Sequence, residues 1–205
     1  MFPLYCIVDT GLCQARGLDA LAVTDALLAG GAKLLQIRDK NPSSAHRLSL
    51  ADAIVERAHG VGATVIVNDY ADIARTSRAD GVHVGQDDLS VDEVRRVVGG
   101  DAIVGVSTHT ATQIEAAAPS SATYIAVGPV YGTATKDTGY TARGLDLVRR
   151  AALSGKIVVG IGGITLERAA EVIDAGATSV AIISDLLKEP DVAARVRALL
   201  AALRV

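Results

Sequence analysis

Apolar residues in this chain gather in short unbroken blocks: LYCIV at 4–8, LLQI at 34–37, TVIV at 64–67, GVHV at 81–84, IVGV at 103–106, YIAV at 124–127, IVVG at 157–160 and SVAII at 179–183. Strands covered on both faces read this way, because neither face meets water. Between the blocks the pattern turns helical and Ala-rich, as in LDALAVTDALLAG (18–30), AHRLSLADAIVERAHG (45–60), LDLVRRAAL (145–153) and LERAAEVIDAG (166–176), with DVAARVRALLAAL (191–203) last. Ser90 with Glu93, and Thr110 with Gln113, have the capping-box spacing that satisfies two orphan amides at a helix start. Gly30–Gly31, Gly60 and Gly176 stand where helix C-caps are expected.

Eight strands alternating with eight helices, without a linker or low-complexity stretch, predict one parallel α/β domain over residues 1–205. Its natural closure is a (β/α)8 TIM barrel. An open doubly wound sheet is the competitor, but no GxGxxG follows the first strand, and the glycines at 160–163 come too late for that fingerprint.

Composition narrows the picture. The 205 residues are 50% hydrophobic but only 3% aromatic, with no Trp, so the core is built from Ala, Val, Ile and Leu. A formal net charge of −3 gives no global attraction for nucleic acid or an anionic membrane, and anion binding must therefore be local. The apolar runs are far too short to span a bilayer. MFPLYCIVDT has no basic region followed by a long apolar stretch and cleavage site, so a cytoplasmic protein is expected. Cys6 and Cys13 form no CxxC pair and are expected to be reduced thiols. His46, His59, His83 and His109 are scattered, without the spacing of a structural zinc site.

In a barrel the site lies at the C-terminal ends of the strands. There the apolar runs give way to Asp9, QIRDK, Asn68–Asp69, GQDDL (85–89), Ser107 with His109, GPVYGTATKDTGY (128–140), GIGGI (160–164) and Ser184–Asp185. Polar and glycine residues thus collect on one rim. Gln36, Arg38 and Lys40 alternate along an extended strand end and project to one side. There a glutamine can read a heterocycle while Arg and Lys hold a polyphosphate. Asp69 and Asp88 follow neighbouring strands and suit a magnesium ion, which takes one or two protein carboxylates plus water and substrate phosphates. The plainer alternative is that Asn68 or Asp69 caps the helix ADIARTS and that Asp87–Asp88 is a turn. In TATK, Thr133 and Thr135 alternate and Lys136 adds positive charge beside them. Backbone amides of GIGGIT, with those of Ile183–Ser184, offer a second anion site at a helix start. The rim therefore suits two phosphorylated ligands, or one long one.

The segments QIRDK, NDYADIA, ADGVHVGQDDL, GVSTHT, GPVYGTATK, GIGGI and AIIS, in this order across nearly the whole chain, resemble the thiamine-phosphate synthase (thiamine-phosphate pyrophosphorylase) family. The resemblance implies a transferase that joins 4-amino-2-methyl-5-pyrimidinylmethyl diphosphate to a thiazole phosphate, releasing pyrophosphate through a pyrimidinylmethyl cation. It implies that Gln36, Arg38, Lys40, Asn68, Ser107 and Lys136 bind the pyrimidine diphosphate, with Arg38, Lys40, Ser107 and Lys136 taking part in catalysis. By the same resemblance Asp69 and Asp88 hold Mg2+, and Thr133, Thr135, Gly163, Ile183 and Ser184 bind the thiazole phosphate. Two positions depart from the family's pattern. Tyr70 replaces a common arginine, with an expected cost to diphosphate grip or to the site's entrance, and Gly132 replaces a common proline, with an expected gain in loop mobility.

Three other readings compete. A thiazole tautomerase of the sister family would use the same barrel, but its members need not keep the Asn-Asp, GQxDL and TxTK set present here. A sugar-phosphate isomerase needs an acid/base pair across the rim, and strand five ends in Ser107–Thr108 instead. A non-catalytic barrel that binds a phosphorylated ligand would show binding without product. Small phosphorylated substrates are the expected partners, not nucleic acid or membrane, and the sequence says nothing of oligomeric state.

Overall fold

The computed structural model describes residues 1–133 and 139–203. Eight strands, β1 (Leu4–Asp9), β2 (Leu34–Arg38), β3 (Thr64–Asn68), β4 (Gly81–Val84), β5 (Ile103–Thr108), β6 (Tyr124–Val127), β7 (Ile157–Ile161) and β8 (Ser179–Ile182), pair in parallel in sequence order, and β1 pairs with β8 to close a (β/α)8 barrel. Every expected strand is present, with ends within two residues of the apolar runs. Alternate residues turn inward, so Tyr5, Ile7, Leu34, Ile66, Tyr124, Ala126, Val159 and Ala181 fill the barrel. The opposite faces pack against the surrounding helices in a larger aliphatic layer.

The helices are α1 (Thr10–Ala15), α2 (Ala20–Ala29), α3 (Ser44–Gly60), α4 (Ala71–Thr76), α5 (Val91–Val98), α6 (Ala111–Ala117), α7 (Gly144–Ala152), α8 (Leu166–Asp174) and α9 (Val192–Ala202), with a 3-10 turn at Ser184–Leu187. The expectation of eight helices thus needs correction. The first unit holds two because the Asp9 carboxylate accepts from Leu12 N at 2.9 Å and starts a helix as soon as β1 ends. A second cap, Asp19 on Ala22 N at 2.9 Å, then starts α2.

The Ser90–Glu93 capping box is complete in both directions. Thr110 accepts from Gln113 N at 3.2 Å, but Gln113 Oε1 takes the amide of His109 at 2.6 Å, so the second box is only half formed. Helix α3 runs through Gly60, and the left-handed turn comes at Gly62, with φ of 66°. Asp185, expected among the rim's polar residues, is structural: its buried carboxylate pairs with Arg195 (2.7 Å to Nη2) and accepts from Leu166 N at 3.1 Å, tying the 3-10 turn to α8 and α9. Among the described residues no helix is long and apolar enough to cross a membrane.

Candidate active site

The ends of β1 to β4 supply charged side chains in a fixed order. Asp9 and Arg38 are register partners on adjacent strands, which brings the Arg38 guanidinium onto the Asp9 carboxylate. Lys40, one turn of the pleat further out, bonds Asp69 Oδ2 at 2.6 Å and remains largely exposed. Gln36, Arg38 and Lys40 thus run from the barrel interior to solvent, with Gln36 buried. Asn68 is buried at the end of β3. Neither Asn68 nor Asp69 caps α4, whose N-cap is Tyr70 with no side-chain bond, so the capping alternative for these two residues fails. Asp69 instead takes a left-handed backbone, φ 66°, held by its amide on His83 O at 2.8 Å. Asp and Asn tolerate that region, though at some cost, and such residues concentrate at functional sites. Asp88 does close a turn, accepting from Gly85 N at 2.7 Å.

Beneath this rim a polar chain crosses the barrel. Gln36 Nε2 donates to Tyr5 Oη at 2.9 Å, Tyr5 and Tyr124 hydroxyls meet at 3.0 Å, Tyr124 Oη lies 3.0 Å from His83 Nδ1, and His83 Nε2 lies 2.9 Å from Ser107 Oγ. Burial pushes both tyrosine hydroxyls well above their ordinary range, so they stay protonated. Gly105 makes the chain possible, since a Cβ there would overlap the Tyr124 ring. In the sequence His83 is one of four scattered histidines, and Tyr5 and Tyr124 lie unmarked inside apolar blocks. The signal was available: each occupies the inward phase of a strand that is otherwise aliphatic.

The other side of the rim is made of backbone. Gly162 and Gly163 have φ of 99° and 62°. A Cβ on Gly162 would meet Pro129 at 2.6 Å, and one on Gly163 would meet Gly132 O at 2.5 Å, so the loop after β7 packs against the start of the loop after β6 with no room for side chains. Gly162, Gly163, Ile183, Ser184, Thr133, Pro129, Ser107 and His109 surround one mainly apolar cavity. Lys40, Asp69, Asp88, Gln86, Ser107 and His109 surround a second, polar one. Ser107 and His109 belong to both. His109 is seated by Nδ1 on Gly128 O at 2.6 Å and by ring stacking on Tyr140, centroids 4.6 Å apart. Thr135 and Lys136 lie outside the described residues. Tyr70 carries the Arg47 guanidinium 3.9 Å above its ring, so a cation stands beside this position.

For a metal, the donor set is the test. Asp69, Asp87 and Asp88 line the polar cavity, and carboxylate oxygens suit magnesium and not a soft metal. Among the described residues no three His, Cys, Asp or Glu side chains gather into a closed metal cluster. Two carboxylates in an open cavity fit an ion that keeps waters and substrate phosphates in its shell.

The family model described as thiamine monophosphate synthase matches residues 4–186. A thiamine-phosphate synthase of Roseiflexus castenholzii is 41% identical over 197 residues, covering 96% of this chain and 86% of its own length. One from Koribacter versatilis is 46% identical over 165 residues, covering 80% and 78%. Among solved structures, thiamine phosphate pyrophosphorylase from Pyrococcus furiosus superposes with a TM-score of 0.89 at 26% identity, covering 98% of this chain and 95% of that one.

Proposed function

This chain belongs to the thiamine monophosphate synthase family, and on that premise we propose that it is a transferase condensing 4-amino-2-methyl-5-pyrimidinylmethyl diphosphate with 4-methyl-5-(2-phosphoethyl)thiazole to give thiamine phosphate and pyrophosphate. One observation supports the two-substrate reading above the rest: a charged cavity and a glycine-walled cavity adjoin, and Ser107 and His109 line both. An anionic ligand in each would meet the other at that shared wall.

In this reading the methylene–oxygen bond of the diphosphate ester breaks first, its electron pair leaving with pyrophosphate. The resulting pyrimidinylmethyl cation is stabilised by the ring's amino group, and the thiazole nitrogen supplies the pair for the new carbon–nitrogen bond. No protein nucleophile is needed, so the protein's part is positioning and charge. Lys40, exposed in its pair with Asp69, can turn to the leaving diphosphate, while Arg38, anchored by Asp9, contributes a fixed charge. Lys136 supplies a third cation. Gln36, Asn68 and Ser107 hold the pyrimidine diphosphate, and Thr133, Thr135, Gly163, Ile183 and Ser184 hold the thiazole phosphate. Asp69 and Asp88 would hold magnesium, which when bound offsets the charge growing on pyrophosphate.

The test is to mix the purified protein with both phosphorylated substrates and magnesium and to follow thiamine phosphate by thiochrome fluorescence. Product that disappears with EDTA and in Asp88→Ala supports synthase and metal site together. Folded, ligand-binding protein without product would sink the synthase reading and send the thiazole compound to an isomerisation assay.

A further inference from the structure

The interior polar chain has a direction, and we propose that this direction makes the Ser107 hydroxyl a dedicated hydrogen-bond donor at the wall between the two cavities, with Tyr5, Tyr124 and His83 as positioning residues. The inference rests on the reading of Ser107 as a substrate contact.

The direction follows from counting protons. A hydroxyl has one hydrogen to give, and leaving it ungiven in a buried site forfeits the bond it would make to water. Tyr5 has two polar neighbours, Gln36 Nε2 and Tyr124 Oη. The amide nitrogen only donates, so the Tyr5 proton goes to Tyr124. Tyr124 in turn has two neighbours, Tyr5 Oη and His83 Nδ1. Having accepted from Tyr5, it gives its proton to Nδ1. That nitrogen is therefore unprotonated, and the imidazole hydrogen lies on Nε2, where it is donated to Ser107 Oγ at 2.9 Å. A proton on Nδ1, in a neutral or a charged ring, would leave the Tyr124 hydroxyl buried with nothing to accept its hydrogen.

Ser107 accordingly accepts from the protein and keeps its own hydrogen. No described side chain takes it: Gln86 Nε2 donates to the Ser107 carbonyl at 2.6 Å and, being a donor only, could not accept the hydroxyl hydrogen. Both cavities that Ser107 lines are open to it. The substrate atom it meets is then an acceptor, such as an aromatic ring nitrogen or a phosphoryl oxygen, and not an N–H or O–H. The scaffold holds this arrangement firmly. The Tyr5 and Tyr124 rings meet edge to face with centroids 6.0 Å apart, and Gly105 clears the space for the Tyr124 phenol. Turning over the Gln36 amide would reverse every link and convert Ser107 into a donor to His83, so one amide rotamer sets the character of a group four links away.

The experiment is long-range 1H–15N NMR of the ligand-free protein labelled in histidine, with His83 assigned by His83→Gln, run beside the thiochrome assay. The expected result is a neutral His83 carrying its proton on Nε2. In Tyr124→Phe the two tautomers become mixed and kcat falls about tenfold, less than the hundredfold or more that follows removal of a transition-state donor outright. Gln36→Glu, which can only accept from Tyr5 when ionised, shifts His83 toward the Nδ1–H form. A wild-type His83 protonated on Nδ1, or an unchanged tautomer and full kcat in Tyr124→Phe, would overturn the proposal. The tautomer is read without substrate, so a protein that makes no thiamine phosphate but carries the Nε2–H ring would count against the proposed reaction and not against the direction of the chain.

Discussion

The two halves of the rim are built from different materials. From β1 to β5 the site is a set of side chains, each restrained by another side chain: Arg38 by Asp9, Lys40 by Asp69, Ser107 by His83. At β7 and β8 the wall is backbone, with two left-handed glycines packed against Pro129 and Gly132. Side chains can change partners when a ligand arrives, which suits a group that leaves during the reaction. A glycine wall cannot rearrange without breaking its packing, which suits a group that only needs to be held. Mutations should therefore act differently on the two sides.

The largest effect is expected on the side-chain half. Asp88→Ala should lower kcat by about 100-fold or more, as loss of a transition-state charge partner does, and raising magnesium should not restore it. A fall of less than about tenfold would mean that the charged half does not hold the metal through this carboxylate. Next, Gly163→Ala forces a Cβ toward Gly132 O at a φ of 62°. It should raise KM for the thiazole phosphate while leaving KM for the diphosphate nearly unchanged, and it should cost about 1–3 kcal/mol of stability in a urea melt. Equal changes in both KM values would erase the division between the halves.

Lys40→Met should reduce kcat about tenfold through lost charge on the leaving group. Its unfolding midpoint should hardly move, because a pair with so exposed a lysine adds about 0–1 kcal/mol at most. A large loss of stability would show that the Lys40–Asp69 pair is scaffold. The smallest effect belongs to Tyr70→Ala, which removes the surface under the Arg47 guanidinium, worth about 0.5–1 kcal/mol at such a site. The resulting rise in diphosphate KM should be no more than about fivefold.

The same division explains what could be read from the sequence. The strands were legible because burial on both faces writes them as continuous apolar runs, from Leu4–Asp9 to Ser179–Ile182. The rim signatures, QIRDK and GQDDL, were legible because a cluster of charged residues directly after an apolar run belongs at the mouth of a barrel and not in its aliphatic packing, even where some of them are buried there. Short-range capping at Asp9 hid α1, since one carboxylate can start a helix within a stretch that reads as a loop. The hydroxyl chain was hidden for a different reason. Tyr5, His83 and Tyr124 lie within apolar blocks, and only splitting each strand into its two phases separates the inward set, Tyr5, Gln36, His83, Ser107 and Tyr124, from the aliphatic residues facing the helices. Ala134 to Thr138 belong to the one rim segment outside the described residues.

The closure of the barrel has a consequence for how the chain comes into being. β1 finds β2 early, but its other edge is matched only by β8, through Leu4 with Val180 and Cys6 with Ile182, and by Val180 N on Pro3 O at 2.9 Å. Until β8 is in place, that edge of β1 has only water for its amides and carbonyls. Adjacent units can assemble as they appear, because their contacts are local, whereas the final seam joins the most distant parts of the fold and its loop-closure entropy is met last. Until that seam closes, any partly assembled barrel would present the β1 edge to other chains.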